Sequence, residues 1–309
     1  MKVAYVFPGQ GAQKVGMGRD LYDEYPSAKE AFQQADEAVG FPISQLCFEG
    51  PEVDLRQTIN AQPALVAASI AALRAAQEVA GDELPAPDFV AGHSLGEYTA
   101  LSVVGVLDYP TTVYLARERG RLMHEAGQKK PGGMIAVIGF NEDSLLEVCA
   151  ETDTYLANIN CSNQLVISGS KENLARAAEM AKTRGAKRAI PLAVSAAFHT
   201  PLMEYAAKGM TEILKKITFR DPAVPVVANT TAEPMTTGDE IKAELIRQLC
   251  GSVKWQQSVE FIVSQGVTDF IEFGPGEVLS GLVKRINPDM KTINIGDVPS
   301  ARNLGGLRV

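Results

Sequence analysis

Ser94 is bracketed by glycines in Gly92-His93-Ser94-Leu95-Gly96, a spacing that suits a serine nucleophile. The apolar run Phe89-Val90-Ala91 before it reads as a short buried strand, and residues 97–103 after it read as a helix. Strand, sharp turn and helix are the context of a nucleophile elbow. The two glycines let the backbone close tightly and keep side chains away from the hydroxyl. The amide of Leu95, at the N-terminus of the following helix, then faces any oxyanion that forms beside Ser94. The bland alternative is a structural turn.

A serine hydroxyl needs a base to attack near neutral pH, and the chain has three histidines. His93 adjoins Ser94 within the elbow, where neighbouring side chains diverge, so it reads as a structural or hydrogen-bonding group. His124 sits among polar and charged neighbours and reads as a solvated surface residue. His199 follows a strand-like segment at 190–194 and precedes a helix start, which puts it at a loop end, where sites are built in α/β sheets. A helix N-terminus disfavours imidazolium and keeps the ring a neutral base. The other reading of His199 is a capping role. A Ser–Asp–His order would put a carboxylate between 94 and 199. No acidic residue there has a distinctive context, so a backbone carbonyl is an alternative partner for the imidazole.

The elements that must position these groups alternate. Residues 3–7 read as a buried strand ending in the loop Pro8-Gly9-Gln10-Gly11, and Gln62-Pro63 reads as the opening of an Ala-rich helix, with Pro63 in its first turn. A helix follows over about 111–126, carrying Arg117, Arg119 and Arg121. Residues 134–194 then run strand, helix, strand, strand, helix, strand, which is the ferredoxin-like order. Beyond them, strands at 225–229, 268–273 and 291–295 alternate with helices. The expected fold is therefore α/β: a large, α/β-hydrolase-like domain with a mostly parallel sheet, residues 1–127 and 197–309, and an inserted ferredoxin-like small domain, residues 128–196.

Composition narrows the function classes. At 309 residues and a formal charge of -8, the chain is long enough for a sizeable core, and its acidity argues against general nucleic-acid binding. The most apolar stretch, 64–80, is interrupted by Ser69, Arg74, Gln77 and Glu78 and reads as a packed helix, so no membrane partner is expected. Residues 1–5 lead straight into a strand, and no signal peptide is expected. Cys47, Cys149, Cys161 and Cys250 lack metal-ligand spacing and read as free thiols in a reducing cytoplasm. No metal is expected.

A set of motifs spans nearly the whole chain: Phe7-Pro8-Gly9-Gln10-Gly11, Gln62-Pro63-Ala64, Gly92-His93-Ser94-Leu95-Gly96-Glu97, Arg119-Gly120, Phe198-His199, Arg247-Gln248-Leu249 and Gly274-Pro275-Gly276. In order and spacing it resembles the malonyl-CoA:acyl carrier protein transacylases and the acyltransferase domains of fatty acid and polyketide synthases. The resemblance implies that Ser94 is acylated and that His199 is its base. It implies that the main-chain carbonyl of Gln248 orients His199, and that the amides of Gln10 and Leu95 form the oxyanion hole. Arg119 would pair with the malonyl carboxylate, and Asn160, Phe198 and His93 would complete the acyl site. Malonyl-CoA and a phosphopantetheinylated acyl carrier protein are the implied partners of a monomeric enzyme without a bound cofactor.

Other readings remain at this stage. A thioesterase or lipase-like hydrolase shares the elbow but needs a catalytic acid, and a non-catalytic carrier-docking protein would need neither Ser94 nor His199. Arg119 is alternatively a surface ion-pair residue beside Glu118 and Glu125, and Gln10 and Phe198 alternatively close a loop and fill the core. The basic run Lys182, Arg184, Lys187 and Arg188 is either a solvated face or a docking patch for an acidic carrier. Residues 299–309 match no motif.

Overall fold

The computed structural model describes residues 1–194 and 196–303. Ser195, inside the expected insertion, and the last six residues of the unassigned tail lie outside the described residues. Among those described, six strands form one sheet: β1 (Val3–Phe7), β2 (Phe89–Gly92), β7 (Val226–Val227), β8 (Pro234–Met235), β9 (Asp269–Phe273) and β10 (Lys291–Ile295), in the order β10-β9-β1-β2-β7-β8. Every pairing is parallel except β7 with the two-residue β8. The central strand β1, Val-Ala-Tyr-Val-Phe, is buried along its whole length, as a strand covered on both faces must be.

The remaining strands, β3 (Gly133–Ile138), β4 (Tyr155–Cys161), β5 (Gln164–Gly169) and β6 (Arg188–Pro191), form an antiparallel sheet of their own, ordered β4-β5-β3-β6. Helices Glu142–Thr152 and Lys171–Thr183 follow β3 and β5, capped by the side chains of Asn141 and Ser170. This is the expected βαββαβ order. The two sheets are tied by β4, whose Asn158 bridges to Val253 in the large body, with Ile159 N donating to Val253 O at 2.8 Å.

The Ala-rich helix differs from expectation in one respect. It starts at Thr58, so Pro63 lies inside it rather than in its first turn. Proline cannot donate to the carbonyl four residues back, and that carbonyl, Ile59 O, accepts instead from Arg117 Nη1 at 2.9 Å. The helix Thr58–Ala80 is long and apolar enough to pass as a membrane span by composition, but most of it is buried within the protein. Helix Tyr109–Lys129 packs against it, N-capped by Asp108.

Candidate active site

The site lies at the carboxyl ends of β1, β2 and β7, the side of a parallel sheet where loops converge on a ligand. The chain leaves β2 at Gly92 and enters helix Gly96–Val103 within four residues. Ser94, between them, has φ of 52°, a left-handed conformation rare for a residue with a Cβ. Glycine is required on both sides. A Cβ on Gly92 would lie 1.9 Å from the carbonyl carbon of Gly96, and one on Gly96 would lie 2.0 Å from the carbonyl oxygen of Phe7. The second contact seats the elbow directly on the end of β1, beside the loop that carries Gln10.

Ser94 Oγ stands 2.8 Å from His199 Nε2. His199 is itself at φ 60°, just ahead of Thr200, whose hydroxyl caps the turn Pro201–Met203. The opposite ring nitrogen, Nδ1, is 2.8 Å from the main-chain carbonyl of Gln248. A carbonyl can only accept, so Nδ1 carries the proton and Nε2 is free to accept the serine proton. Burial, and after it the positive charge of Arg119, lower the imidazole pKa to about 3. The ring is therefore neutral at physiological pH, as a general base must be.

Arg119 is 1 % exposed and points inward. Its Nη1 donates to Gln62 Oε1 at 2.8 Å, and its Nη2 donates to Gln248 Oε1 at 2.7 Å and to Ser94 Oγ at 3.1 Å. Its Nε has no partner among the described residues. A buried guanidinium with an unused donor beside the nucleophile can receive a carboxylate. The surface ion-pair alternative is filled by another residue, since Glu118 and Glu125 both bind Arg121.

Gln10 donates from Nε2 to Thr58 Oγ1 at 3.1 Å, which fixes its loop to the start of the Ala-rich helix. The main-chain amides of Gln10 and Leu95 donate to no acceptor among the described residues, so both are available to an oxyanion. On the small-sheet side of the site, β4 departs from regular register between Leu156 and Asn158 and between Ile159 and Cys161. Irregularities of this kind re-aim side chains. Here Asn160 Oδ1 lies 2.8 Å from His93 Nε2, and Asn158 Nδ2 lies 3.4 Å from the same nitrogen. His93 also packs at a tilt against Trp255, and burial lowers its pKa. It links the elbow to the small sheet and stays out of hydrogen-bonding reach of Ser94 Oγ. Phe198 is buried in the main core, and His124 is half-buried beside Gln128.

Three buried polar residues complete the site: Asn229, which sequence reasoning did not name, and Glu97 and Gln62, which it named in motifs without giving them a role in the site. Asn229, just past β7, accepts from the Ser94 amide at 2.7 Å and donates to Gly92 O at 2.8 Å. Glu97 accepts from Asn229 and Gln248, which hold Ser94 and Arg119, and Gln62 Oε1 accepts from Arg119 directly. Burial and the neighbouring Glu244 push the Glu97 carboxyl up, opposed by the amides of Asn229 and Gln248 and by the Arg119 charge. Among the described residues no cluster of three or more His, Cys, Asp or Glu could hold a metal ion.

Together these groups can activate a serine, stabilise an oxyanion and hold an acyl group that carries a free carboxylate. Comparison with known proteins points the same way. Residues 4–305 match the family described as acyl transferase domain. The malonyl CoA-acyl carrier protein transacylase of Bacillus subtilis is 45% identical over 301 residues, covering 96% of this chain and 94% of that protein. The protein of the same name from Escherichia coli K12 is 44% identical over 302 residues, covering 96% of each. Among solved structures, the acyl-carrier-protein-S-malonyltransferase of Bartonella henselae superposes with a TM-score of 0.94 at 39% identity over the full length of both chains. A malonyl-transacylase solved in complex with a type II polyketide synthase acyl-carrier protein gives 0.94 at 41% identity, covering 97% of this chain and 98% of that one.

Proposed function

We infer that this chain, which belongs to the acyl transferase domain family, transfers malonyl from malonyl-CoA to the phosphopantetheine thiol of acyl carrier protein. It thereby supplies malonyl-carrier for chain elongation in fatty acid or polyketide synthesis. The observation that carries this reading is the convergence of Ser94, His199 and a buried Arg119 with a donor unused among the described residues.

The reaction runs in two matched halves. Ser94 Oγ attacks the thioester carbonyl carbon while its proton passes to His199 Nε2. The oxyanion forms against the amides of Gln10 and Leu95, whose free N–H groups support this role. Collapse expels CoA, which takes the proton from His199, and leaves a malonyl-serine ester. The carrier thiol then gives its proton to His199 and attacks the ester. The second collapse returns the proton to Ser94, and the kinetics are ping-pong.

Arg119 holds the malonyl carboxylate throughout, with Asn160, His93 and Phe198 at the walls of the site. A main-chain carbonyl on His199, in place of a carboxylate, and a carboxylate clamp both favour transfer over the thioesterase or lipase-like alternative. Residues 128–196 act as an inserted small domain against a large domain of 1–127 and 197–309, a division supported by the separate sheet of β3–β6. One chain supplies every group named, which supports a monomer as the working unit, and the four free cysteines suit a reducing cytoplasm.

If the basic run greets an acidic carrier, ion pairing leaves only part of it to do so. Lys182 pairs with Glu179, and Arg184 pairs with Glu151. Lys187 and Arg188 are exposed and form no ion pair among the described residues, so theirs is the charge left for an acidic partner. The test is sequential intact-mass measurement: malonyl-CoA should add one malonyl group to the protein, and holo-carrier should then remove it. Free malonate in place of malonyl-carrier would assign a hydrolase.

A further inference from the structure

Glu97 is fully buried, three residues after Ser94, and no step of the transfer uses it. Both of its carboxylate oxygens are occupied. Oε1 accepts from the main-chain amide of Asn229 at 3.0 Å and from Asn229 Nδ2 at 3.1 Å, and Oε2 accepts from Gln248 Nε2 at 2.7 Å. These two partners are the ones that hold the reacting pair. Asn229 receives the amide of the strained Ser94. Gln248 receives His199 Nδ1 on its main chain, and its side chain spans from the Ser94 carbonyl, at 2.8 Å, to Arg119.

The direction of these bonds is forced. Arg119 can only donate, so it faces Gln248 Oε1, and the Ser94 carbonyl can only accept, so it faces Nε2. The other N–H of that amide therefore points at Glu97 Oε2, while the Asn229 amide points at Oε1. A proton on Glu97 would find no acceptor among the described residues, and a buried donor left unpaired is costly. The bond directions thus call for a carboxylate, against the burial and the neighbouring Glu244 that push its pKa up, and the Arg119 guanidinium lies one amide away from it.

We propose that Glu97 is a positioning residue for both Ser94 and His199, and the counter-charge that holds Arg119 in place until a substrate carboxylate arrives. The proposal rests on the transacylase reading and adds to it a cause of acyl selectivity. Two consequences separate it from a structural role. Loss of Glu97 loosens the elbow and the base together, so every acyl group reacts more slowly. Loss of its charge also leaves the substrate carboxylate alone with Arg119, so malonyl gains relative to acetyl.

The test is Ser94 acylation by malonyl-CoA and by acetyl-CoA in wild type, Glu97→Gln and Glu97→Asp, read by intact mass as kcat and KM, with thermal melting as a check of folding. Glu97→Gln should acylate about 10- to 100-fold more slowly with both donors, the scale expected when reacting groups are misplaced by about 1 Å. Its malonyl-over-acetyl ratio of kcat/KM should rise several-fold, on the order of the effect of one buried charge. Glu97→Asp keeps the charge but is one methylene short, so it should slow both reactions and leave the ratio unchanged. A folded Glu97→Gln that reacts at the wild-type rate, or whose ratio stays level or falls, overturns the proposal. Should that variant not fold, Glu97→Asp decides: a folded Glu97→Asp that acylates at the wild-type rate with both donors, or whose malonyl-over-acetyl ratio changes, overturns the proposal. A wild-type protein without a malonyl adduct would instead overturn the transacylase reading, and the Glu97 proposal with it.

Discussion

His199 directs Nδ1 to the main-chain carbonyl of Gln248, 2.8 Å away, where a Ser–His–Asp triad has a carboxylate. A neutral carbonyl fixes the tautomer without adding a negative charge, so nothing raises the imidazole pKa enough to offset its burial and the nearby Arg119. In the proposed reaction the imidazole is therefore unprotonated at neutral pH, when the serine must attack.

The first prediction concerns pH. With His199 at about 3, kcat/KM for Ser94 acylation should pass through 6.5 without a histidine inflection and hold down to about pH 5. Between 6.5 and about 3 the unfolded chain binds this proton and the folded one does not, so stability from this group falls as pH drops through that window. His199→Asn should lose that part of the pH dependence of melting. An inflection near 6.5 in wild type that His199→Asn abolishes would mean a solvated, titrating ring.

Removal of the base should be felt in both half-reactions. His199→Ala should slow acylation of Ser94 and transfer to the carrier alike, by roughly a hundredfold or more. Stopped-flow measurement of each half-reaction checks this, and slowing of the carrier step alone would make His199 a docking residue.

On the proposed reading, Arg119 sets acyl selectivity. Truncating one partner of a closed arginine–carboxylate pair costs roughly 2–5 kcal/mol, which at about 1.4 kcal/mol per tenfold is about 30-fold to a few thousand-fold against malonyl. Acetyl never uses the clamp. Arg119→Ala should therefore compress or invert the malonyl-over-acetyl ratio, and Arg119→Lys should restore part of it, since an ammonium lacks the fork. Parallel losses for both acyl groups would make Arg119 a structural residue.

Charge reversal at Lys187 and Arg188 should raise KM for the carrier and weaken its dependence on salt, with self-acylation by malonyl-CoA unchanged. An unaffected carrier KM would leave these two residues as a solvated face.

The sequence carried the elbow well because Gly92 and Gly96 are demanded by close backbone contacts, and such contacts leave a residue-type signature. The ferredoxin-like order was legible from its alternation of short apolar runs with helical stretches, and in the structure the two helices are capped by the side chains of Asn141 and Ser170. Other features left no such mark. The Gln248 contribution to His199 is a main-chain carbonyl, which any residue supplies, and only family resemblance pointed to it. Asn229 meets Ser94 from 135 positions away, and Glu97 reads locally as one more polar residue at a helix start. The helix begins before Pro63 because Arg117, distant in sequence, satisfies the carbonyl that proline leaves free. At two residues, β8 is too short to show a pattern.

The central claim is that Ser94 carries the malonyl group between CoA and the carrier, and intact-mass measurement of wild type and Ser94→Ala tests it most directly. Ser94→Ala should fold normally, since an elbow accepts a small side chain in place of the hydroxymethyl. After mixing with malonyl-CoA, wild type should gain one malonyl group, which holo-carrier removes as malonyl-carrier, and Ser94→Ala should gain none. A malonyl adduct that persists on Ser94→Ala, or a wild-type protein that transfers malonyl to the carrier with no adduct under single-turnover conditions, would contradict it.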